Sequence, residues 1–298
     1  MRKILSIFLL LFFVTSIALA QDVAHARNLK EKMPFDDLNI RFTYRASYRG
    51  DTCRTQRYFD NEALDVGAKY IRFYSLFSET IDSTSYAYEN GLKKSRGNGY
   101  DPKEKLSNLE SGQYEEIFFG YPQSGTMTVH DRFYKKSYMY SEPMPHFSWS
   151  YVDSTMTILG YECHKAVTKF RGREWTAWYT FSIPLPYGPW KLGGLPGLIL
   201  KAHDDKGYFT YDLIGVHKAE AGEKIYRYDS QYIKCTRDDV RKMNNLRWQD
   251  PAMLASGNGC QVVNYAIIDK THNPPKVRRV SFREAFGDKY YIPQRELE

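Results

Sequence analysis

The segment Ile40-Arg41-Phe42-Thr43-Tyr44-Arg45-Ala46-Ser47-Tyr48-Arg49 alternates strictly between two kinds of side chain. Ile40, Phe42, Tyr44, Ala46 and Tyr48 fall on one side, and Arg41, Thr43, Arg45, Ser47 and Arg49 on the other. Successive side chains of a strand point to opposite faces, so this period predicts a long β-strand with one apolar face. Gly50-Asp51 reads as a turn, and residues 54–60 as the returning strand. Aromatic residues make up 16% of the chain, led by 25 tyrosines, and such side chains favour pleated, half-buried surfaces. The β reading therefore extends beyond the first hairpin.

Working outward, Leu64-Asp65-Val66-Gly67 and Tyr70 to Ser75 read as a further strand pair. Phe77 to Glu89 predicts a short helix, and Lys93 to Pro102 a Gly- and Asn-bearing surface loop. Strands are expected at 115–120, 126–134 and 136–140, before Glu142-Pro143-Met144-Pro145 interrupts the pattern. Between Trp149 and Val216, strands at 155–159, 162–171, 174–181, 198–202 and 208–216 are punctuated by Gly160, Gly172 and Gly207. Asp205-Lys206-Gly207 reads as a hairpin turn. Leu198-Ile199-Leu200 is apolar on both faces, as in a covered strand. Thr236 then stands as an N-cap three residues before Asp239, and Val240, Met243 and Leu246 give a helical stripe ending near Trp248. A second short helix is expected from Pro251. Residues 270–298 are basic and weakly patterned. The expected fold is mainly β: a curved antiparallel sheet or half-barrel with a few short helices and a helical C-terminal appendage. The divisions are a signal peptide over 1–20, an antiparallel β domain over 21–230, and a helical or irregular appendage over 231–298.

Arg2 and Lys3, the apolar run Ile4 to Ala18 and the small-x-small end Ala18-Leu19-Ala20 read as a cleaved export signal with a mature start at Gln21. Its removal takes two cations and no acid, lowering the formal net charge from +7 to +5 and leaving 278 of 298 residues. No later stretch is apolar enough to span a bilayer as a helix. The periplasm or the exterior is the expected location. The basic excess is spread out apart from Lys276-Val277-Arg278-Arg279, which reads as a solvated edge, and no nucleic-acid partner is expected. Cys53, Cys163, Cys235 and Cys260 permit two disulfides in three connectivities. Cys235 with Cys260 flanks one helix and is the easiest pair, which would leave Cys53 with Cys163. None has CxxC or zinc spacing.

The run Ile183 to Leu200 holds Pro184, Pro186, Pro189, Gly188, Gly193, Gly194, Pro196 and Gly197, yet ends in a dense apolar cluster. Exposed loops are polar, so a loop this apolar is expected to fold down onto the body of the protein. Its core, Gly194-Leu195-Pro196-Gly197-Leu198-Ile199, resembles the signature of the GLPGLI family. Further resemblances are Tyr161-Glu162-Cys163-His164-Lys165-Ala166, the hairpin Phe170-Arg171-Gly172-Arg173 through Ala177-Trp178-Tyr179-Thr180, Ile183-Pro184 and Gly188-Pro189-Trp190-Lys191. Leu64 to Gly67 and Phe73 to Ser75 match a weaker N-terminal block. The resemblance covers residues 40–216. It implies an exported protein of Gram-negative bacteria and carries no agreed biochemical activity. It also marks Cys163, Pro184, Gly188, Pro189 and residues 194–199 as a structural motif. Pro196 fixes one backbone angle, Gly197 can supply a positive φ, and Leu195, Leu198 and Ile199 anchor the turn.

Arg171 and Arg173 flank Gly172 in a turn and could grip an anion, or pair with local acids such as Glu174. Trp175 and Tyr179 share one strand face and Trp178 the other; with Trp190 they would line a groove or fill a core. His164, His203 and Asp204 lack a metal-site spacing. Glu115-Glu116 and Asp204-Asp205 point apart on a strand, so neither makes an acid–base dyad. The glycine run lacks a phosphate-loop ending, and no nucleophile motif is present. No cofactor, metal or catalytic residue is expected. The expected function is an exported binding or accessory protein. Its ligand would be apolar, a peptide, or part of an outer-membrane or periplasmic protein, held by Arg171, Arg173, Trp175, Trp178, Tyr179 and Trp190. The alternatives are a structural envelope protein without a ligand and an envelope hydrolase.

Overall fold

The computed structural model describes residues 27, 29–49, 55–89, 112–133, 136–229, 232–249, 265–269, 276–280 and 295–296. The expected signal peptide, the loop at 93–102, the helix from Pro251, Cys53 and Cys260 lie outside the described residues. The alternating segment forms the heart of β1 (Lys32–Arg49). After it come β2 (Arg57–Gly67), β3 (Ile71–Ser75), α1 (Leu76–Glu89), β4 (Glu116–Phe119), β5 (Thr126–Phe133) and β6 (Lys136–Pro143). The chain continues through β7 (Ser150–Ile158), β8 (Tyr161–Phe170), β9 (Arg173–Thr180), β10 (Leu198–Asp204), β11 (Phe209–Lys218), β12 (Lys224–Tyr228) and β13 (Ile233–Lys234). Helix α2 (Arg237–Gln249) and a separate hairpin of β14 (Tyr265–Asp269) and β15 (Lys276–Val280) complete the described elements.

Strands β1 to β13 form one 13-stranded sheet, ordered β13-β6-β5-β4-β3-β2-β1-β11-β10-β9-β8-β7, with β12 pairing to the start of β1. The pairs are antiparallel except β13 with β6. The protein is thus mainly β, as its alternation predicts. Leu64 to Gly67 does not begin a new strand but continues β2, because Tyr44, Phe42 and Ile40 pair in register with Glu62, Leu64 and Val66. Where the sequence pattern is weak, β12 forms because Tyr226 and Ile225 pair with Pro34 and Asp36. In the appendage, 276–280 is a strand rather than irregular tail.

Directly opposed residues of paired strands share a face. One face, called inner here, carries Phe42, Tyr44, Ala46, Leu64, Phe73, Ile117, Val129, Tyr211, Ala202, Ala177 and Trp175, all buried. The sheet folds over this face. Arg171, in the β8–β9 turn near one edge, bonds Glu142 of β6 near the other at 2.6 Å. Tyr187 of the Pro/Gly loop meets the ring of Phe119 on β4 at 5.5 Å.

The loop is folded down, as its composition requires. Trp190, Lys191, Leu192 and Leu195 are buried. Its backbone is tied by Gly194 N to Pro186 O at 3.0 Å and Leu198 N to Ile183 O at 2.9 Å. Tyr44 donates its hydroxyl to Ile199 O at 2.8 Å, and Trp149 donates Nε1 to Gly193 O at 2.9 Å. Gly197 acts differently from expectation. It is not among the residues with positive φ, a role taken by Gly194 at 77°. Instead a Cβ on Gly197 would sit 1.9 Å from Thr180 O, so only glycine lets the loop close against β9. The side-chain thiols of Cys163 and Cys235 are free, each facing a backbone carbonyl, that of Tyr161 and that of Met139, at 3.5 Å. The partners expected for them, Cys260 and Cys53, lie outside the described residues.

Gly197→Val is expected to cost at least about 3 kcal/mol, because the clash is with backbone that cannot step aside. Urea unfolding of the variant checks this; wild-type stability would remove the close-approach account.

Candidate functional site

Both faces of the sheet bury charge, and the two sets are separate. Glu115 and Glu116 show how. They are neighbours at the start of β4 and alternate across the sheet, as neighbouring strand residues must.

On the outer face, Glu116 meets Arg72 of β3, with Arg72 Nε at 2.5 Å, and Arg27 at 2.9 Å. Arg72 also bonds Glu79 of α1. Asp82 of α1 takes Arg27 at 2.7 Å and Arg132 of β5 at 2.9 Å. Arg27 stacks over Tyr228 at 4.1 Å and Arg72 over Tyr74 at 3.7 Å. Arg27, Arg72 and Arg132 are thereby matched with Glu79, Asp82 and Glu116. Burial pushes the Glu79 carboxyl up, but Arg72, Arg27 and Lys32 more than offset it and hold it down at about 2. Glu116 is held lower still, again by Arg72 and Arg27 against burial.

Beside this network lies a cleft of about 570 Å³ between α1, β1 and β12. Its walls include Tyr226, Tyr74, Thr80, Ser83 and Thr84, with Arg41, Asp65, Lys32 and Glu79. Its charges are paired: Arg41 grips Asp65 at 2.6 and 2.8 Å and Lys32 bonds Glu79 at 3.1 Å, while Arg72 and Lys224, which also line it, reach Glu116 and Asp37 beyond its walls. Lys32 also lies 4.8 Å over the Tyr226 ring.

On the inner face, Asp60 and Glu62 of β2 and Glu115 form the acidic side of an enclosed polar chamber. Asp60 accepts from Ser75 at 2.9 Å and from Gln113 N at 2.8 Å. The opposite side is basic. Lys191, 1% exposed, reaches from the Pro/Gly loop to Tyr140 Oη at 2.8 Å and Glu142 at 2.9 Å. Between the two sides sit Arg295 and Glu296. Arg295 bonds Glu62 at 2.6 Å and lies 3.6 Å from Glu115. Glu296 bonds Lys191 at 2.5 Å and Arg237 of α2 at 2.6 Å. Burial raises the Lys191 environment's cost, but Tyr140, Glu296, Glu115 and Glu142 more than compensate and push its ammonium pKa up. Burial pushes the Glu115 carboxyl up to about 7 against the pull of Lys191 and Arg295.

The residues read from sequence as a ligand groove do not converge on one surface. Trp175 and Trp190 are enclosed, with ring centroids 5.5 Å apart, in an aromatic column that runs from Phe170 to Tyr211. Arg173 is buried and donates to Asp204 at 2.8 Å. Arg171 reaches Glu142, so neither arginine pairs with Glu174. Tyr179 is 3% exposed, in a cluster with His164 and Phe181. Trp178 is half-buried on the outer face, opposite Lys165 and Lys201. His203 and Asp204 are adjacent on β10 and face opposite ways, and among the described residues no group of three or more His, Cys, Asp or Glu side chains is arranged to hold a metal ion. Sequence reading missed Glu62, Lys191, Arg295 and Glu296. A lysine inside an otherwise apolar, proline-fixed loop was the one available signal.

Residues 134–247 match the family model of the N-glycanase peptide, N-terminal domain. That stretch runs from before β6 into α2 and contains the Pro/Gly loop. Among solved structures, PNGF-II in a P21 crystal form is similar at 16% identity and a TM-score of 0.44, over 69% of this chain and 32% of that one. PNGF-II in a C2 form gives 16% identity and a TM-score of 0.43, over 68% of this chain and 32% of that one. The chain thus spans about a third of the length of the solved chains it matches. No curated protein matches it.

The raised Glu115 sets a pH dependence. A carboxyl whose folded pKa lies near 7, above its ordinary 4.5, stabilises the fold fully below 4.5 and loses that contribution as pH rises through 7. Glu115→Gln is expected to remove this fall, so that wild type loses about 2 kcal/mol more than the variant between pH 4.5 and 7.5. Urea unfolding across that range gives the difference.

Proposed function

We propose that this chain is an exported binding or accessory module of the GLPGLI type, and that its ligand site is the outer-face cleft rather than the space beneath the Pro/Gly loop. The carrying observation is the cleft's chemistry. Each of its ions is paired, Arg41 with Asp65, Lys32 with Glu79, Arg72 with Glu79 and Glu116, and Lys224 with Asp37, and what it offers a visitor is a tyrosine ring, threonine and serine hydroxyls and fixed polar edges. Such a lining suits a neutral, hydroxyl-rich ligand that stacks on an aromatic ring, which is the chemistry of a sugar. Similarity over 134–247 to the N-glycanase peptide, N-terminal domain, supports a glycan as the class.

Binding is favoured over hydrolysis by the state of the carboxylates. A glycosidase needs one carboxyl kept protonated beside one kept ionised. Here Asp65 is gripped by Arg41, and Glu79 is held at about 2 by Arg72, Arg27 and Lys32 against burial, so Glu79 carries no proton to donate near neutral pH.

A high-mannose N-glycan titrated into the protein by calorimetry is expected to bind weakly, in the micromolar to millimolar range. Tyr226→Ala is expected to weaken it about tenfold by removing the stacking ring, which corresponds to roughly 1.4 kcal/mol. Equal affinity in wild type and variant, or no heat with either, sinks the cleft assignment and leaves a structural envelope role.

A further inference from the structure

The inner-face chamber lies across the sheet from the cleft and is built differently. Its acidic side, Glu62 and Glu115, and its basic side, Lys191 and Arg237, are held apart by the strands, loop and helix that carry them. Arg295 and Glu296 fill the gap with matching charges, Arg295 towards the acids and Glu296 towards the bases. Arg295 also stacks on the end of the aromatic column, 5.7 Å from the Tyr211 ring.

Two neighbouring side chains do not satisfy the chamber. Glu62 Oε2, Glu115 Oε1 and Tyr211 Oη are enclosed without a hydrogen-bond partner, and so are Trp175 Nε1, Trp190 Nε1 and Arg237 Nη2. Glu62 and Tyr211 are each 1% exposed. Buried polar atoms are nearly always bonded, so the unbonded atoms beside Arg295 and Glu296, and those of the aromatic column that ends at Arg295, are groups a further polar partner would satisfy. Donors for the two carboxylates and acceptors for the two indoles are what a peptide backbone or additional polar side chains supply.

We propose that this chamber is a recognition site for a peptide segment in which an arginine directly precedes a glutamate, and that Arg295-Glu296 of the same chain is the occupant seen here. The order of the two residues is part of the recognition. Exchanging them would set guanidinium against Lys191 and Arg237, and carboxylate against Glu62 and Glu115, in a space where like charges are poorly screened. The site is independent of the cleft, so neither reading depends on the other.

The test uses a variant ending at Ile292 and a capped synthetic peptide of residues 293–298, followed by calorimetry and thermal melts. The peptide is expected to bind the shortened variant with micromolar affinity and to raise its melting temperature. The same peptide with positions 295 and 296 exchanged is expected to bind at least 30-fold more weakly. The full chain, its seat already filled, is expected to bind the native-order peptide at least tenfold more weakly than the variant does. If the shortened variant does not fold alone, its circular dichroism is followed with each peptide added; recovery with the native order only supports the proposal. No binding by a folded variant, no recovery of an unfolded one, equal response to both orders, or equal affinity in the full chain overturns it. A full-length chain with Arg295→Ala and Glu296→Ala supplies a second host that keeps the backbone, and its failure to take the native-order peptide in preference to the exchanged one counts against the site in the same way.

Discussion

An ammonium group with almost no exposed surface constrains this molecule more than any other feature. Lys191 sits in the middle of a rigid apolar loop and must find anions inside the protein. It finds Glu142 on β6 and Glu296 beyond the last described strand, and donates besides to the neutral hydroxyl of Tyr140. Removing a partner from a buried ion pair costs on the order of 3–5 kcal/mol. The loop can therefore dock only where the sheet has folded far enough to bring β6 under it. The bond from Arg171 to Glu142 and the packing of Trp190 between Phe170 and Trp175 are met by the same closure. The prolines and glycines set the path of the loop, Gly197 gives it clearance against Thr180 O, and Lys191 fixes where it ends.

The same sheet buries a second ionic set on its other face, for a different reason. The sequence places the arginines of β1 only on the face opposite the apolar one, and in the structure α1 and β12 lie over the strands of that face. Charges trapped there are tolerated because Arg27, Arg72 and Arg132 meet Glu79, Asp82 and Glu116, and tyrosine rings cover the guanidinium groups. Arg41 is likewise held by Asp65 directly across the strand pair. The buried network on the outer face is thus charge-matched, while the walls of the adjoining cleft hold the cations Lys32, Arg41, Arg72 and Lys224 against the carboxylates Asp65 and Glu79.

Much of the fold was legible in the sequence because the sheet's signal is local. Ile40 to Arg49 states its own two faces, Thr236 and Asp239 cap α2 as read and bond each other at 2.7 Å, and the apolar loop announces that it is covered. The site was less legible, since its members meet only through closure. Glu62 and Arg295 are 233 positions apart, and no period or spacing connects them. Strand β12 was invisible for a related reason: its pairing depends on β1 extending back to Lys32, through Pro34 and two aspartates that weaken any alternation. Trp175 and Trp190 illustrate the limit on chemistry. Sequence gives their strand face and their apolar setting, but whether such a face lines a groove or fills a core depends on what packs over it, and here the loop does.

The two polar interiors differ in how their charges are closed, and that difference separates architecture from exchange. On the outer face the network is completed by groups on α1 and strands β3 to β5, together with Arg27 ahead of β1. On the inner face, completion depends on Arg295 and Glu296, from a segment remote in sequence from every strand it touches. Among the described residues, the enclosed polar atoms left without a hydrogen bond lie around the inner chamber and its aromatic border, apart from those of His130 and Arg227. A network closed by its own framework has no vacancy to offer without unfolding. In the proposed exchange, a network closed by one outlying segment, and closed incompletely, trades that segment for another of the same charge order while the sheet stays intact. On the proposed reading, peptide exchange belongs where the framework leaves its charges unfinished, separate from the cleft, and the Pro/Gly loop, by delivering Lys191 to that place, helps to build the chamber as well as to cover it.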